Sequence, residues 1–376
     1  MRSTYGRRKR SPSAMTRPDA PGPLRRRGPR PLWLHLTGMA APPKDVQPVP
    51  GTIDPVLLAG IAAYRRHPYQ RALLDPPTIW AEGDCRLLDY GRRGDLPVLF
   101  VPSLINRAYV LDLLPERSML RWLARRRIRP LLLDWGWPGT AERRFDLTAI
   151  VARLERAMLS RRRPLVLVGY CMGGLLTMAA ALRQPSHVRG LALLATPWDF
   201  HAEQRDAAIA LGAGLAKAEP LLEATGTLPV DALQTLFARI EPGAITTKYR
   251  AFAQLDPASA AARDFVALED WLNDGVPLAA PVAREVLSGW YRDNRPVNGT
   301  WRIGDDHVMP QALHCPAFVA VPSRDRIVPP GSALGLAAQL PAPTVHRPES
   351  GHIGMTAGRR AETALWQPLL DWLRAL

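Results

Sequence analysis

Residues 163–183 read RPLVLVGYCMGGLLTMAAALR, and two different periodicities meet in that stretch. The run Leu165–Gly169 is short, apolar and β-branched, bounded by Arg163-Pro164 before and glycine after, which suits a strand buried on both faces. Met172 onward has helix formers, with small residues at close spacing, and reads as a helix over 172–183. Between them lies Gly169-Tyr170-Cys171-Met172-Gly173, a G-x-[nucleophile]-x-G turn. Small residues on both sides tolerate a strained backbone that lifts one side chain above a sheet at the N-terminus of a helix. Cys171 occupies the lifted position, and the helix dipole behind it favours the thiolate, the reactive form of the side chain. The competing reading is a structural cysteine in a glycine-rich turn; the flanking strand and helix favour the nucleophile. The turn lacks the Lys-Ser/Thr and G-x-G-x-x-G patterns of phosphate cradles, so no nucleotide cofactor is expected.

Working outward, four more apolar runs have strand character: 98–104, 129–136, 188–195 and 315–322. Helical periodicity fills 54–66, 116–127, 146–160 and 361–376, with Pro368 as a kink, and the stretch from 67 to about 80 reads as irregular. Such alternation predicts a doubly wound, mostly parallel sheet with helices on both faces. More than a hundred residues separate the strand ending near Ala195 from the one starting at Cys315. Their helix-like segments 203–224, 230–240 and 260–272 predict an inserted, mainly helical lid over 199–312. The expected organisation is a tail (1–49), a core (50–198), the lid, and the rest of the core (313–376). With the turn at Cys171, this is the α/β-hydrolase fold.

A thiol nucleophile on that fold needs an acid and then a histidine further along the chain. Asp325 follows the strand at 315–322 in the turn Ser323-Arg324-Asp325-Arg326, and His352 follows the last apolar run in Ser350-Gly351-His352-Ile353-Gly354. His35, in the tail, and His67, His187, His201, His307, His314 and His346 are the rival bases; Asp199, Asp305 and Asp306 are the rival acids. For the oxyanion, backbone N–H groups of Met172, after the nucleophile, and of Leu104, in the loop after the first central strand, are expected, with Ile105 as the fallback.

The formal charge of +15 suggests a polyanion partner until its location is examined. Residues 1–44 hold eleven basic side chains against one acid, Asp19, a net +10, which leaves +5 for the whole body. That body gives no evidence of a nucleic-acid surface. The Pro- and Arg-rich tail lacks apolar periodicity and reads as disordered; Arg7-Arg8 is followed by no apolar region of a secretion signal. Met39 opens a more ordinary start, MAAPPKDVQPVPG, so residues 1–38 are expected to be dispensable. Cys85, Cys171 and Cys315 are too few for a disulfide framework and lack the clustering of a zinc site, so no metal is expected and a reducing cytoplasm is the default. No run of eighteen apolar residues reads as a membrane span.

Several stretches together resemble the polyhydroxyalkanoate synthases: PSLINRAYVLDLLPERSMLRWL (102–123), LLLDWGWPG (131–139), GYCMGG (169–174), WLNDG (271–275), YRDNRPVNG (291–299), DRIVPP (325–330) and GHIGM (351–355). The likeness spans roughly residues 50–376 and the length is similar to that of the short-form catalytic subunits; the Arg-rich tail is a departure. The resemblance implies a 3-hydroxyacyl-CoA substrate that acylates Cys171, with His352 as base and Asp325 orienting it. It further implies a homodimer, a second synthase subunit and a polyester granule surface as partners, with the lid carrying the polymer exit. Two rivals stand beside it: a Cys-nucleophile hydrolase on the same fold, either a polyester depolymerase or an acyl-CoA thioesterase, and a granule-associated binding protein without catalysis.

Overall fold

The computed structural model of the chain describes residues 26–36 and 54–376. Eight strands form the central sheet: β1 (Thr78–Glu82), β2 (Cys85–Asp89), β3 (Leu96–Val101), β4 (Ile128–Asp134), β5 (Leu165–Tyr170), β6 (Val188–Leu194), β7 (Ala317–Ala320) and β8 (Thr344–His346). Their spatial order is β1-β2-β4-β3-β5-β6-β7-β8. Strands β3 to β8 run parallel, whereas β1 pairs antiparallel with β2 and β2 antiparallel with β4.

The continuous apolar runs follow from burial on both faces. Leu99, Val101, Leu165, Leu167, Leu191 and Leu193 join one core, against the helices Leu147–Leu159, Met172–Arg183 and Pro330–Gln339. Val98, Phe100, Val166, Val168, Ala192 and Leu194 join the other, against Met119–Ala124 and the C-terminal helix Gln367–Arg374. Successive side chains of a strand point to opposite faces, so a sheet covered twice needs apolar residues at every position. The helix starts are capped locally: Asp146 accepts from the Ala149 N–H at 2.7 Å, Ser118 from Arg121 at 3.0 Å and Ser259 from Ala262 at 3.1 Å.

Between β6 and β7 the chain forms the helices Arg205–Ala213, Leu215–Thr225, Val230–Ile240, Ala244–Phe252, Ala260–Asn273 and Ala280–Arg284, followed by a π-helical stretch Glu285–Arg292. An aromatic cluster ties this insertion to the core, with Trp301 5.4 Å from Trp290 and 6.0 Å from Trp198, ring centre to ring centre. Among the described residues no helix is long and apolar enough to cross a membrane.

The stretch from residue 67 is irregular until β1 begins at Thr78, and the edge pair β1–β2 runs against the rest of the sheet. The C-terminal run is helical from residue 361 to 374, as expected, and it is interrupted by a π-helical turn, Glu362–Trp366, immediately ahead of Pro368. The disorder expected over 1–49 does not extend to residues 26–36. There Leu32–Leu36 is a short helix, Leu34 and His35 are buried, and the Arg26 guanidinium makes a paired contact with the Asp270 carboxylate at 2.6 and 3.0 Å. The rest of that expectation falls on residues outside those described.

Candidate active site

Cys171 sits between β5 and the helix Met172–Arg183 with φ 56° and ψ −129°, a backbone conformation that side-chain-bearing residues rarely adopt. The turn is pinned on both sides, by the Cys171 N–H donating to the Leu194 carbonyl at 2.9 Å and by the Gly174 N–H donating to the Cys171 carbonyl at 2.9 Å. The motif glycines are demanded by close approach. A Cβ on Gly173 would lie 2.1 Å from the Val101 carbonyl oxygen, and one on Gly169 would lie 2.4 Å from the Gly174 Cα. The helix N-terminus is thereby drawn against the loop that leaves β3.

That loop is held by the stretches that carried the family resemblance. Trp135 Nε1 donates to the Pro102 carbonyl at 3.1 Å, and Asp134 accepts from the Gly136 N–H at 3.2 Å and from Arg86 and Arg107 at 2.8 and 3.3 Å. Trp271 Nε1 donates to the Arg107 carbonyl at 2.7 Å, while the Val276 N–H donates to the Ile105 carbonyl at 2.7 Å. The segments 131–139, 102–123 and 271–275 therefore form one brace around the loop. Within it the Ile105 N–H is engaged by Ser103 Oγ at 3.3 Å. The fallback oxyanion donor therefore already has a hydrogen-bond partner inside its own turn.

Asp325 and His352 meet across the carboxyl ends of β7 and β8. Asp325 Oδ2 lies 2.7 Å from His352 Nδ1, and Asp325 Oδ1 accepts the N–H groups of Ile327 and Val328, both at 2.9 Å. The Asp325 side chain is fully buried and that of His352 nearly so. Burial opposes charge on the imidazole, but negative charge on Cys171 and the contacts with Asp325 and Cys171 outweigh it and raise the His352 pKa to about 10. Burial pushes the Cys85 thiol up to about 12 and that of Cys315 up to about 11, which makes both poor nucleophiles at neutral pH. Three rival histidines are engaged elsewhere, with ring nitrogens against the backbone carbonyls of Pro257 (His67), Tyr291 (His201) and Ala364 (His346).

Cys171 and His352 both border a cavity of about 240 Å³ whose wall is mainly apolar, including Ile105, Phe237, Ile245, Trp271, Ile327 and Ile353. Phe237, Ile245 and Trp271 come from the insertion. The arrangement offers a thiol, a histidine oriented by a carboxylate, and an adjoining slot for an apolar chain. Among the described residues no group of three or more His, Cys, Asp or Glu could hold a metal ion.

A sequence model of the alpha/beta hydrolase fold matches residues 97–356, well over half of the chain. The chain belongs to the alpha/beta hydrolase fold family. This alpha/beta hydrolase is 28% identical over 310 residues to the poly(3-hydroxyalkanoate) polymerase subunit PhaC of Haloferax mediterranei, covering 78% of its own length and 62% of that protein. It is 28% identical to the subunit of the same name from Synechocystis over 294 residues, covering 74% and 77% of the two chains. Among solved structures, a carboxylesterase structure from Nitrososphaera gargenis superposes with a TM-score of 0.53 at 10% identity, over 80% of this chain and 99% of that one, a likeness of fold alone.

Within the hydrolase frame the structure brings Asp325 and His352 into contact and sets Cys171 and His352 on one cavity, with the Gly173 end of the helix close to the Val101 and Pro102 carbonyls. Sequence reasoning passed over Tyr170. Its ring lies 5.1 Å from that of His352, and its hydroxyl donates to the His352 backbone carbonyl at 3.3 Å. The only signal was its place beside Cys171. His35 was also misplaced: it borders the cavity rather than lying in a free tail.

Proposed function

We propose that this alpha/beta hydrolase is an acyltransferase that polymerises 3-hydroxyacyl-CoA thioesters into polyhydroxyalkanoate with release of CoA, using Cys171, His352 and Asp325 as a triad. The observation that carries the reading is the buried Asp325–His352 pair beside Cys171 at one apolar cavity, in a chain similar to two polymerase subunits.

In the first half-reaction His352 holds the Cys171 proton, the sulfur attacks the thioester carbonyl, and the oxyanion is received by the N–H groups of Met172 and Leu104. The carbon–sulfur bond to CoA breaks and His352 returns the proton to the departing thiol. One thioester replaces another, so acyl-Cys171 keeps the activation that CoA supplied. In the second half-reaction His352 takes the proton of a 3-hydroxyl, the oxygen attacks acyl-Cys171, an ester forms and the thiol is regenerated. Asp325 stabilises the imidazolium in both halves. The insertion excludes water, so that an alcohol acceptor prevails. A second copy of the chain, a second subunit and a granule surface belong to this reading as partners.

The test is purified protein with 3-hydroxybutyryl-CoA. Polymer with stoichiometric CoA is the expected product; free acid without polymer would make the chain a thioesterase, and CoA release undiminished in Cys171→Ala would remove the thiol from the chemistry.

A further inference from the structure

Residues 26–36 are tied to the body by contacts that span more than two hundred positions of sequence. Besides the paired contact of Arg26 with Asp270, the same guanidinium donates to the carbonyls of His67 and Tyr69 and lies over the Tyr64 ring. Tyr64 in turn donates to Asp270 at 2.9 Å. The Arg30 N–H donates to Asn273 Oδ1 at 2.9 Å, Arg30 Nε reaches Asp231 at 2.7 Å, and Arg65 donates to the carbonyls of Gly28 and Arg27 at 2.9 and 3.0 Å. Asp231, Asp270 and Asn273 all belong to the insertion, so the arm is fastened both to the element that roofs the cavity and to residues 64–69. A Cβ on Gly28 would lie 2.4 Å from the Asn273 amide nitrogen, so the backbone itself is pressed against that helix.

The fastening places Pro29, Arg30 and His35 in the wall of the cavity that Cys171 and His352 also border. His35 is buried, with Nε2 against the Arg30 carbonyl at 3.3 Å and with Nδ1 unpartnered among the described residues. Next to this wall the Lys248 ammonium meets the buried Glu269 carboxylate at 2.6 Å, so this cation of the cavity lining is already paired. Arg30 and Arg326, also at the cavity, are paired with Asp231 and Glu241. The surface that these walls leave for a ligand is mainly apolar, which suits the hydrocarbon part of an acyl group rather than a phosphate.

We propose that the arm Arg26–Leu36 is a structural wall of the acyl-binding chamber of Cys171 and a determinant of which acyl chains it accepts. The chemical class of ligand rests on the function proposed above, but the wall is a property of the cavity whichever acceptor takes the acyl group. Short chains reach Cys171 without touching the arm; longer ones pack against it.

The experiment uses iodoacetamides carrying N-ethyl, N-hexyl or N-decyl groups, which alkylate a thiol without requiring turnover. Labelling of Cys171 is followed by intact-mass spectrometry, with Cys171→Ala giving the background from Cys85 and Cys315. The full chain is compared with truncations lacking residues 1–25 and 1–36. The full chain and the shorter truncation should share one chain-length profile. The longer truncation should lose about tenfold of the advantage of the decyl over the ethyl reagent, equivalent to lost contact with about two methylene groups. An unchanged profile overturns the proposal. So does an equal acceleration of all three reagents, since that is a plug and not a wall. If the longer truncation is unfolded by circular dichroism, Pro29→Ala and His35→Ala in the full chain decide instead, and an unaltered profile in both overturns it. Absence of polymer in the acyl-CoA assay, together with a shifted alkylation profile, sinks the proposed reaction and leaves the wall standing.

Discussion

His352 Nδ1 faces Asp325 Oδ2 at 2.7 Å, while the other oxygen of the same carboxylate is held by two backbone N–H groups of the turn that follows it. The carboxylate is therefore fixed before the imidazole reaches it, and one proton position on the ring is dictated. Asp325→Asn keeps the size but offers the ring an amide where a carboxylate stood. Turnover should fall by roughly 10³–10⁴-fold, as for an equivalent change in a serine triad. A melting temperature close to that of the parent would show that the loss is chemical.

The His352 pKa is raised by its neighbours, and Cys171 is one of the causes. Cys171→Ala should accordingly lower the midpoint at which the His352 ring loses its proton, followed by NMR of labelled histidine. For stability the sign is that of a histidine whose folded pKa lies above its unfolded value of about 6.5. The contribution is complete below about pH 6.5 and lost as pH rises through about 10. Chemical denaturation at pH 6 and pH 10 should show a decline that is smaller in Cys171→Ala.

Gly173→Ala puts a carbon 2.1 Å from a backbone carbonyl that cannot move without displacing β3. Overpacking of this kind costs about 1–3 kcal/mol or more. Gly354, where a Cβ would meet nothing within 4 Å, is the control. Thermal unfolding should show a clear drop for the first and little change for the second.

Tyr170→Phe keeps the ring that lies against His352 and removes the hydroxyl that donates to its carbonyl. One buried hydrogen bond is worth about 0.5–1.5 kcal/mol, so stability should fall by that order and turnover by less than about tenfold. A larger loss of turnover with unchanged stability would give the hydroxyl a part in the reaction.

Trp135→Phe deletes the donor that pins the Pro102 carbonyl. If the loop supplies an oxyanion N–H, its displacement should lower kcat by about tenfold or more while leaving KM nearly unchanged, because the contact matters only when the oxyanion forms.

The sequence determined on its own the features whose causes are local. The run Leu165–Tyr170, the strained Cys171 and the helix from Met172 are neighbours in the chain, and the glycines between them record how close the helix must come to β3. Asp325 and His352 were legible because each follows a strand in an order that the fold imposes. The antiparallel edge was not legible: β2 becomes a strand through pairing with β4, from Arg86 opposite Asp134 to Asp89 opposite Leu131, and nothing in the sequence of either announces its direction. The arm was read wrongly for a related reason. An Arg- and Pro-rich segment has too little apolar surface to fold alone, and composition therefore reads as disorder. Its order comes from Asp231, Asp270 and Asn273 of the insertion and from residues 64–69, which only the tertiary fold brings to the arm. The strained turn at Cys171 is thus written in one stretch of chain, whereas the cavity it borders is assembled from stretches that have no local reason to meet.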